Sequence, residues 1–224
     1  MNNKNNYVVD AIFPVGIYIT QIPEDIELIF NVKEDEQDLL EANKYQKKHV
    51  GFVSKNSYLL NQKKYSKLKS FILNHCKNYG DNYLSIDSKE YIMSQSWITI
   101  KPPNAEHDTH IHPNSVISGV LYYGNYDKDT PGITFTKSYN VWDFKYNRSL
   151  RIKTKKNPTP NKFNTQEMDL EVGSNTLVLF PSWLEHGVAY NNTKKDRKSI
   201  AFNVLPQVLG NEASLTELKL DNYE

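Results

Sequence analysis

A chain of 224 residues, 38% hydrophobic and 24% charged, is long enough for one sizeable domain with a real core. Its formal net charge of +1 gives no reason to expect nucleic acid or an anionic membrane as the main partner. A single cysteine, Cys76, excludes an intramolecular disulfide, and no segment approaches the length of a membrane span.

Residues 1–6 are polar and expected to fray, and the opening MNNKNNYVVDAIF lacks the apolar run of a secretory signal. With the lone cysteine, this points to a reducing, cytoplasmic setting. Val8–Ile19 is β-branched and apolar, which predicts a strand interrupted at Pro14. Pro23–Phe30 and Asp35–Tyr45 predict short helices. Tyr58–Tyr83 carries the clearest helical period, with Tyr65, Leu68, Phe71, Ile72 and His75 on one stripe and lysines opposite. Cys76 reads as a buried structural thiol there, and His75 as a boundary histidine.

From Tyr91 onward the pattern changes to short strands: Tyr91–Ile100, Val116–Tyr123, Gly132–Thr136, Thr176–Phe180, Gly187–Tyr190 and Ser199–Leu205. Turn residues punctuate them, which predicts a sandwich or barrel. Lys137–Glu171 is a long irregular insertion. Its Tyr139, Trp142, Phe144 and Tyr146 predict a packed loop, and its run Lys153–Lys156 a solvated stretch. No internal repeat or linker divides the chain, so the expectation is one domain over 1–224. It comprises a flank at 1–90, a β core at 91–206 and a tail at 207–224.

The chemistry concentrates in two places. His107-Asp108-Thr109-His110-Ile111-His112 lies near a predicted strand, where alternation would put Asp108, His110 and His112 on one face and His107 on the other. If strand 187–190 neighbours this wall, His186 just before it can supply the third of three protein ligands, with coordination positions left open, as in the facial triads of non-haem iron sites. Such histidine pairs also occur on edge strands that bind no metal. Downstream, Arg197, Ser199, Ala201 and Asn203 share one strand face. A guanidinium entering an apolar strand needs a partner, and with a hydroxyl beside it a carboxylate is the fitting one.

These residues resemble a known family. Gly173-x-x-x-Leu177-Val178-Leu179-Phe180-Pro181, then His186, then Arg197-Lys198-Ser199, is similar to the C-terminal signature of the 2-oxoglutarate and Fe(II)-dependent oxygenases. Ser96-Trp97, His110-x-His112-Pro113, Ser118-Gly119 and Tyr122-Tyr123 resemble a small subgroup found in bacteria and bacteriophages. The resemblance covers most of residues 91–206. It implies a mainly β fold with flanking helices, a double-stranded β-helix of the jelly-roll or cupin type. It implies Fe(II) and 2-oxoglutarate as cofactors. His110 and His186 would be metal ligands, Arg197 with Ser199 would bind the distal carboxylate, and Tyr123 would add its hydroxyl to that carboxylate. The activity implied is hydroxylation coupled to decarboxylation of 2-oxoglutarate to succinate.

One position departs from the pattern. The superfamily usually has His-x-Asp or His-x-Glu, and this chain has His110-x-His112. Either His112 replaces the carboxylate, the reading favoured by its spacing, or Asp108 binds beside His110. A three-histidine cupin enzyme using no 2-oxo acid and a non-catalytic jelly-roll module are the competing readings. The substrate, a small molecule or a peptide, and the oligomeric state stay open. Trp97, Trp142 and Trp183 are candidates to line a substrate groove, although each also suits a packing role.

Overall fold

The structure, a computed structural model, describes residues 10, 14–26, 28–41, 51–137, 155–156, 159, 161 and 163–220. Two sheets face each other. The larger has seven strands in the order β1 (Tyr18–Gln21), β9 (Thr176–Pro181), β6 (Ile117–Tyr122), β11 (Arg197–Pro206), β4 (Tyr91–Lys101), β3 (Phe52–Ser54) and β2 (Leu39–Glu41). The smaller has the order β5 (His107–His110), β10 (His186–Val188), β7 (Ile133–Thr136) and β8 (Glu167–Leu170). Every pair in both sheets is antiparallel. This is the expected jelly-roll architecture.

Strand alternation gives the large sheet two different faces. Ile98, Ile100, Leu121, Leu179, Ile200, Phe202 and Val204 pack on one side against helix α2 (Ser66–Tyr83), through its Leu68, Ile72, Cys76 and Tyr79. Val120, Tyr122, Val178 and Phe180 face the other way and meet Ile133, with Phe135 and Leu170 packed beside them. The second cluster fills the space between the sheets, and the functional groups line the rest of that space.

Helix α2 follows two 3₁₀ turns, Leu59–Asn61 and Lys63–Tyr65, so the predicted helix forms after its first residues. His75 accepts or donates through Nδ1 to the Tyr18 hydroxyl at 2.8 Å and rests on the Phe71 ring, a boundary role as expected. Other expectations need correction. The helix predicted at Pro23–Phe30 lies later, as α1 (Leu28–Asp35), because Pro23 opens a turn closed by the Ile26 N–H. The helix predicted at Asp35–Tyr45 ends where it should begin. Asp38 closes a turn, and Leu39–Glu41 pairs with β3 as an edge strand, while 42–45 lie outside the described residues.

The N-terminal strand is shorter and later than predicted: β1 starts at Tyr18, and residues 1–9 and 11–13 lie outside the described set. The last part of the 137–171 insertion is β8, a largely exposed edge strand whose alternation of Glu167, Met168, Asp169 and Leu170 falls within the stretch predicted to be irregular. Tyr139, Trp142, Phe144, Tyr146, Lys153 and Thr154 lie outside the described residues. Within the tail, β12 (Val208–Leu209) and β13 (Leu218–Lys219) form a small ribbon. Truncating the α2–sheet contact with Ile72→Ala is expected to cost about 2–5 kcal/mol. Urea unfolding checks this as a lower midpoint at unchanged slope.

Candidate metal centre and adjoining cationic pocket

The metal-competent group is built by one strand pairing. His186 opens β10 directly opposite His110 of β5. Gly187 makes the approach possible, since a Cβ there would sit 2.7 Å from the His107 carbonyl oxygen. His112 lies two residues past the end of β5, where its N–H donates to the Ser182 carbonyl at 3.1 Å. That bond folds the segment back, so the His112 ring stacks on His186 at 5.0 Å and 17°. One nitrogen from each of His110, His112 and His186 lies within 4.8 Å of the others.

The nitrogens are prepared for an ion. His110 Nδ1 is bonded to the Asp108 carbonyl at 2.8 Å and His186 Nδ1 to the Leu184 carbonyl at 2.9 Å. A carbonyl only accepts, so each Nδ1 carries the proton and each Nε2 presents a lone pair. Burial keeps the rings neutral. It pushes His186 down to about 3 and His112 to about 4, each helped by neighbouring histidines, and it also lowers His110. The Nε2 atoms of His112 and His186 are 3.1 Å apart. Two nitrogens each about 2.1 Å from one ion, at angles between octahedral and tetrahedral, lie about 3.0–3.4 Å apart. The residues therefore fit a divalent metal.

The alternative third ligand is placed elsewhere. Asp108 is exposed and outside the group, and it serves the site through its carbonyl. His107 does not face away as alternation predicted. Its ring lies 4.3 Å from that of His110, because β5 is a short segment whose pairing with β10 is irregular. Trp97 on β4 packs against His112 with ring centroids 5.8 Å apart.

Arg197 is 2% exposed at the start of β11. Its Nη1 donates to Ser199 Oγ at 3.1 Å, Nη2 to the Gly132 carbonyl at 2.9 Å, and Nε to the Pro131 carbonyl at 3.0 Å. All three acceptors are neutral. The tyrosine at this guanidinium is Tyr122, whose ring lies 5.1 Å from Arg197 Cζ. Its buried hydroxyl has no well-formed hydrogen bond among the described residues, and burial pushes it up to about 12 against the pull of the adjacent Arg197. Tyr123, the residue named by the resemblance, points to the opposite face. There its hydroxyl donates to Glu36 Oε1 at 2.9 Å, and Lys198 pairs with the same carboxylate at 2.7 Å. The correction follows from alternation, which sends neighbouring side chains to opposite sides of β6.

Lys101, Tyr122 and His107 are neighbours of these groups that no sequence pattern had placed there. Lys101 is 0% exposed and stands opposite Arg197 in the β4–β11 ladder. The usable signal was the extent of β4, since one further residue on the Tyr91–Ile100 run brings a lysine into a buried strand. Replacing His110, His112 or His186 by alanine is expected to weaken Zn²⁺ or Co²⁺ binding by roughly 100-fold each, one ligand's share of a typical site. Asp108→Asn is expected to leave it unchanged, and a competitive chelator titration reads both.

Residues 95–203 match the family described as "Putative 2OG-Fe(II) oxygenase". Among solved structures, a Pseudomonas putida prolyl-4-hydroxylase is similar at a TM-score of 0.55 and 15% identity, over 84% of this chain and 92% of that one. An oxidoreductase of the 2OG-Fe(II) oxygenase family from Burkholderia pseudomallei is similar at 0.53 and 11%, over 83% of each chain. HygX from Streptomyces hygroscopicus, with nickel, 2-oxoglutarate and hygromycin B bound, is similar at 0.55 and 10%, over 86% of this chain and 83% of that one. No curated protein sequence matches. The β core of this chain, residues 95–203, carrying the three histidines, Lys101, Tyr122, Arg197 and Ser199, is the part that is similar to the 2-oxoglutarate/Fe(II)-dependent oxygenases.

Proposed function

We propose that this protein is an Fe(II)- and 2-oxoglutarate-dependent dioxygenase that hydroxylates a substrate while 2-oxoglutarate is decarboxylated to succinate. The observation that carries the reading is Arg197, a buried guanidinium with only neutral partners among the described residues, on the sheet face that looks toward three convergent imidazole nitrogens. A buried cation of this kind is stabilised by an anion, and a carboxylate accepts from guanidinium and hydroxyl together.

In this reading His110, His112 and His186 hold the metal. Arg197, Ser199 and Tyr122 receive the distal carboxylate, with Tyr122 in the role first given to Tyr123. Bound there, the iron and the 2-oxo acid supply the oxidising chemistry. The chain's own residues keep the imidazoles neutral, orient the cosubstrate and exclude water. Three neutral ligands leave the metal one unit more positive than a site with a carboxylate, and the dianionic cosubstrate offsets part of that charge.

A cavity of about 500 Å³ adjoins His112 and is lined by Ile111, Pro113, Val116 and the exposed Trp183. It suits the approach of an uncharged small-molecule or peptide substrate. A buried single thiol suits the reducing cytoplasm of a bacterial or phage-infected cell, and among the described residues no helix is long and apolar enough to cross a membrane. His112 in a carboxylate's usual place favours a second reading, a three-histidine metal enzyme that uses no 2-oxo acid.

Anaerobic Fe(II) titration with and without 2-oxoglutarate separates the two. A visible metal-to-ligand charge-transfer band that disappears in Arg197→Ala is the expected result. Metal binding without the band favours the second reading, and no metal binding sinks both. Tyr122→Phe is expected to weaken 2-oxoglutarate binding about tenfold, while Tyr123→Phe leaves it unchanged, as followed by the concentration dependence of the band.

A further inference from the structure

We propose that His107 is a positioning residue for the acidic cosubstrate, donating a ring N–H to the carboxylate at its metal-bound end. The inference rests on the 2-oxoglutarate reading above. It concerns the end of the acid that Arg197 does not hold.

Strand register places the ring inside the site. His186 and Val188 are two residues apart on β10 and share one face, the face of the convergent imidazoles. Their partners on β5 are His110 and His107. Those two are three residues apart, and the irregular pairing takes up the odd residue, so His107 joins His110 on that face. Its ring leans back onto the metal ligand, with centroids 4.3 Å apart at 33°. Strand β7 passes the same rungs in reverse, with Phe135 opposite His186 and Thr134 opposite Gly187. Two residues before Thr134, the Gly132 carbonyl accepts from Arg197 Nη2. His107 therefore lies on the stretch that leads from the metal rung to the guanidinium. The charges that act on it agree: after burial, Lys101, His110, His186 and Arg197 lower its pKa.

The ring brings an unspent donor to this place. The Nδ1 protons of His110 and His186 are held by backbone carbonyls, and their Nε2 atoms are left for the ion. Neither nitrogen of His107 forms a hydrogen bond among the described residues, and the ring stands outside the convergent group. An imidazole carries an N–H in either charge state, so it donates whichever it holds. A 2-oxo acid chelates a metal through its keto oxygen and one carboxylate oxygen. The second oxygen of that carboxylate is left over, in a space walled by Tyr122, Ile133 and Phe180. Such an oxygen is costly without a donor, and a hydrogen bond to a charged acceptor is among the stronger ones. Arg197 and Ser199 meet the distal carboxylate from the opposite sheet. A donor stacked on His110 serves the near one.

The test is anaerobic titration of the Fe(II) protein with 2-oxoglutarate and with 2-oxobutyrate, which has the same metal-binding end and no distal carboxylate. His107→Phe keeps a ring against His110 and removes the donor. It is expected to raise the Kd of both acids by a similar factor, about tenfold, and to move the charge-transfer band to shorter wavelength. Zn²⁺ or Co²⁺ affinity without the acid is expected to change less than about threefold, and His107→Gln, which keeps an N–H, is expected to recover most of the acid affinity. If His107→Phe does not fold, His107→Leu is read in the same way. An unmoved band with wild-type affinities overturns the proposal. So does a loss confined to 2-oxoglutarate, which would put His107 at the distal carboxylate, and so does a comparable loss of metal affinity without the acid, which would make it a support of His110 or a ligand. A band that needs Arg197 but ignores His107 overturns this inference alone. No 2-oxoglutarate binding by the wild type overturns the functional reading and this inference together.

Discussion

The antiparallel ladder between β4 and β11 is the constraint on which the rest of the structure depends. It runs from Arg197 opposite Lys101 to Pro206 opposite Tyr91. Because side chains alternate along it, one strand serves two purposes. Ile200, Phe202 and Val204 anchor the sheet to helix α2, while Arg197, Ser199, Ala201 and Asn203 face the space between the sheets. A slip of one residue would bury the guanidinium against the helix and expose the core, so the register of the fold and the register of the site are the same.

The electrostatics follow from that placement. The interior receives three imidazoles that burial keeps neutral and, beside them, the buried guanidinium of Arg197. Neutral imidazoles are what a metal needs, and a buried guanidinium is stabilised by an anion. The free protein accordingly carries a cost at this end of the jelly roll. Backbone carbonyls of Pro131 and Gly132, together with Ser199, offset it in part. Contact with the apolar cluster of Tyr122, Phe180 and Ile133 raises the cost by excluding water. A site of this kind gives up some stability of the empty protein in return for affinity.

Much was legible in the residues themselves. The short strands after Tyr91 and the helix ending at Tyr83 follow from local patterns. Each depends on periodicity or on spacing within a few residues. What failed was of two kinds. The edge strand at Leu39, which has no apolar rhythm, exists because a neighbouring strand offers hydrogen bonds, and no local pattern records that. Faces near a strand end failed too. His107 leaves simple alternation because β5 is short and its pairing with β10 is irregular.

Sequence alone determined the kind of chemistry: imidazoles, a guanidinium and a hydroxyl in spacings suited to a metal and a carboxylate, on strands able to close into a jelly roll. The tertiary structure decided which atoms meet. It chose Tyr122 over Tyr123, brought Lys101 beside Arg197, and set His112 rather than the Asp108 carboxylate among the convergent ligands. The reason is physical. Residue type and spacing are properties of one segment, whereas a pocket is made by side chains from several strands, and their partners are settled only when register and burial are settled together.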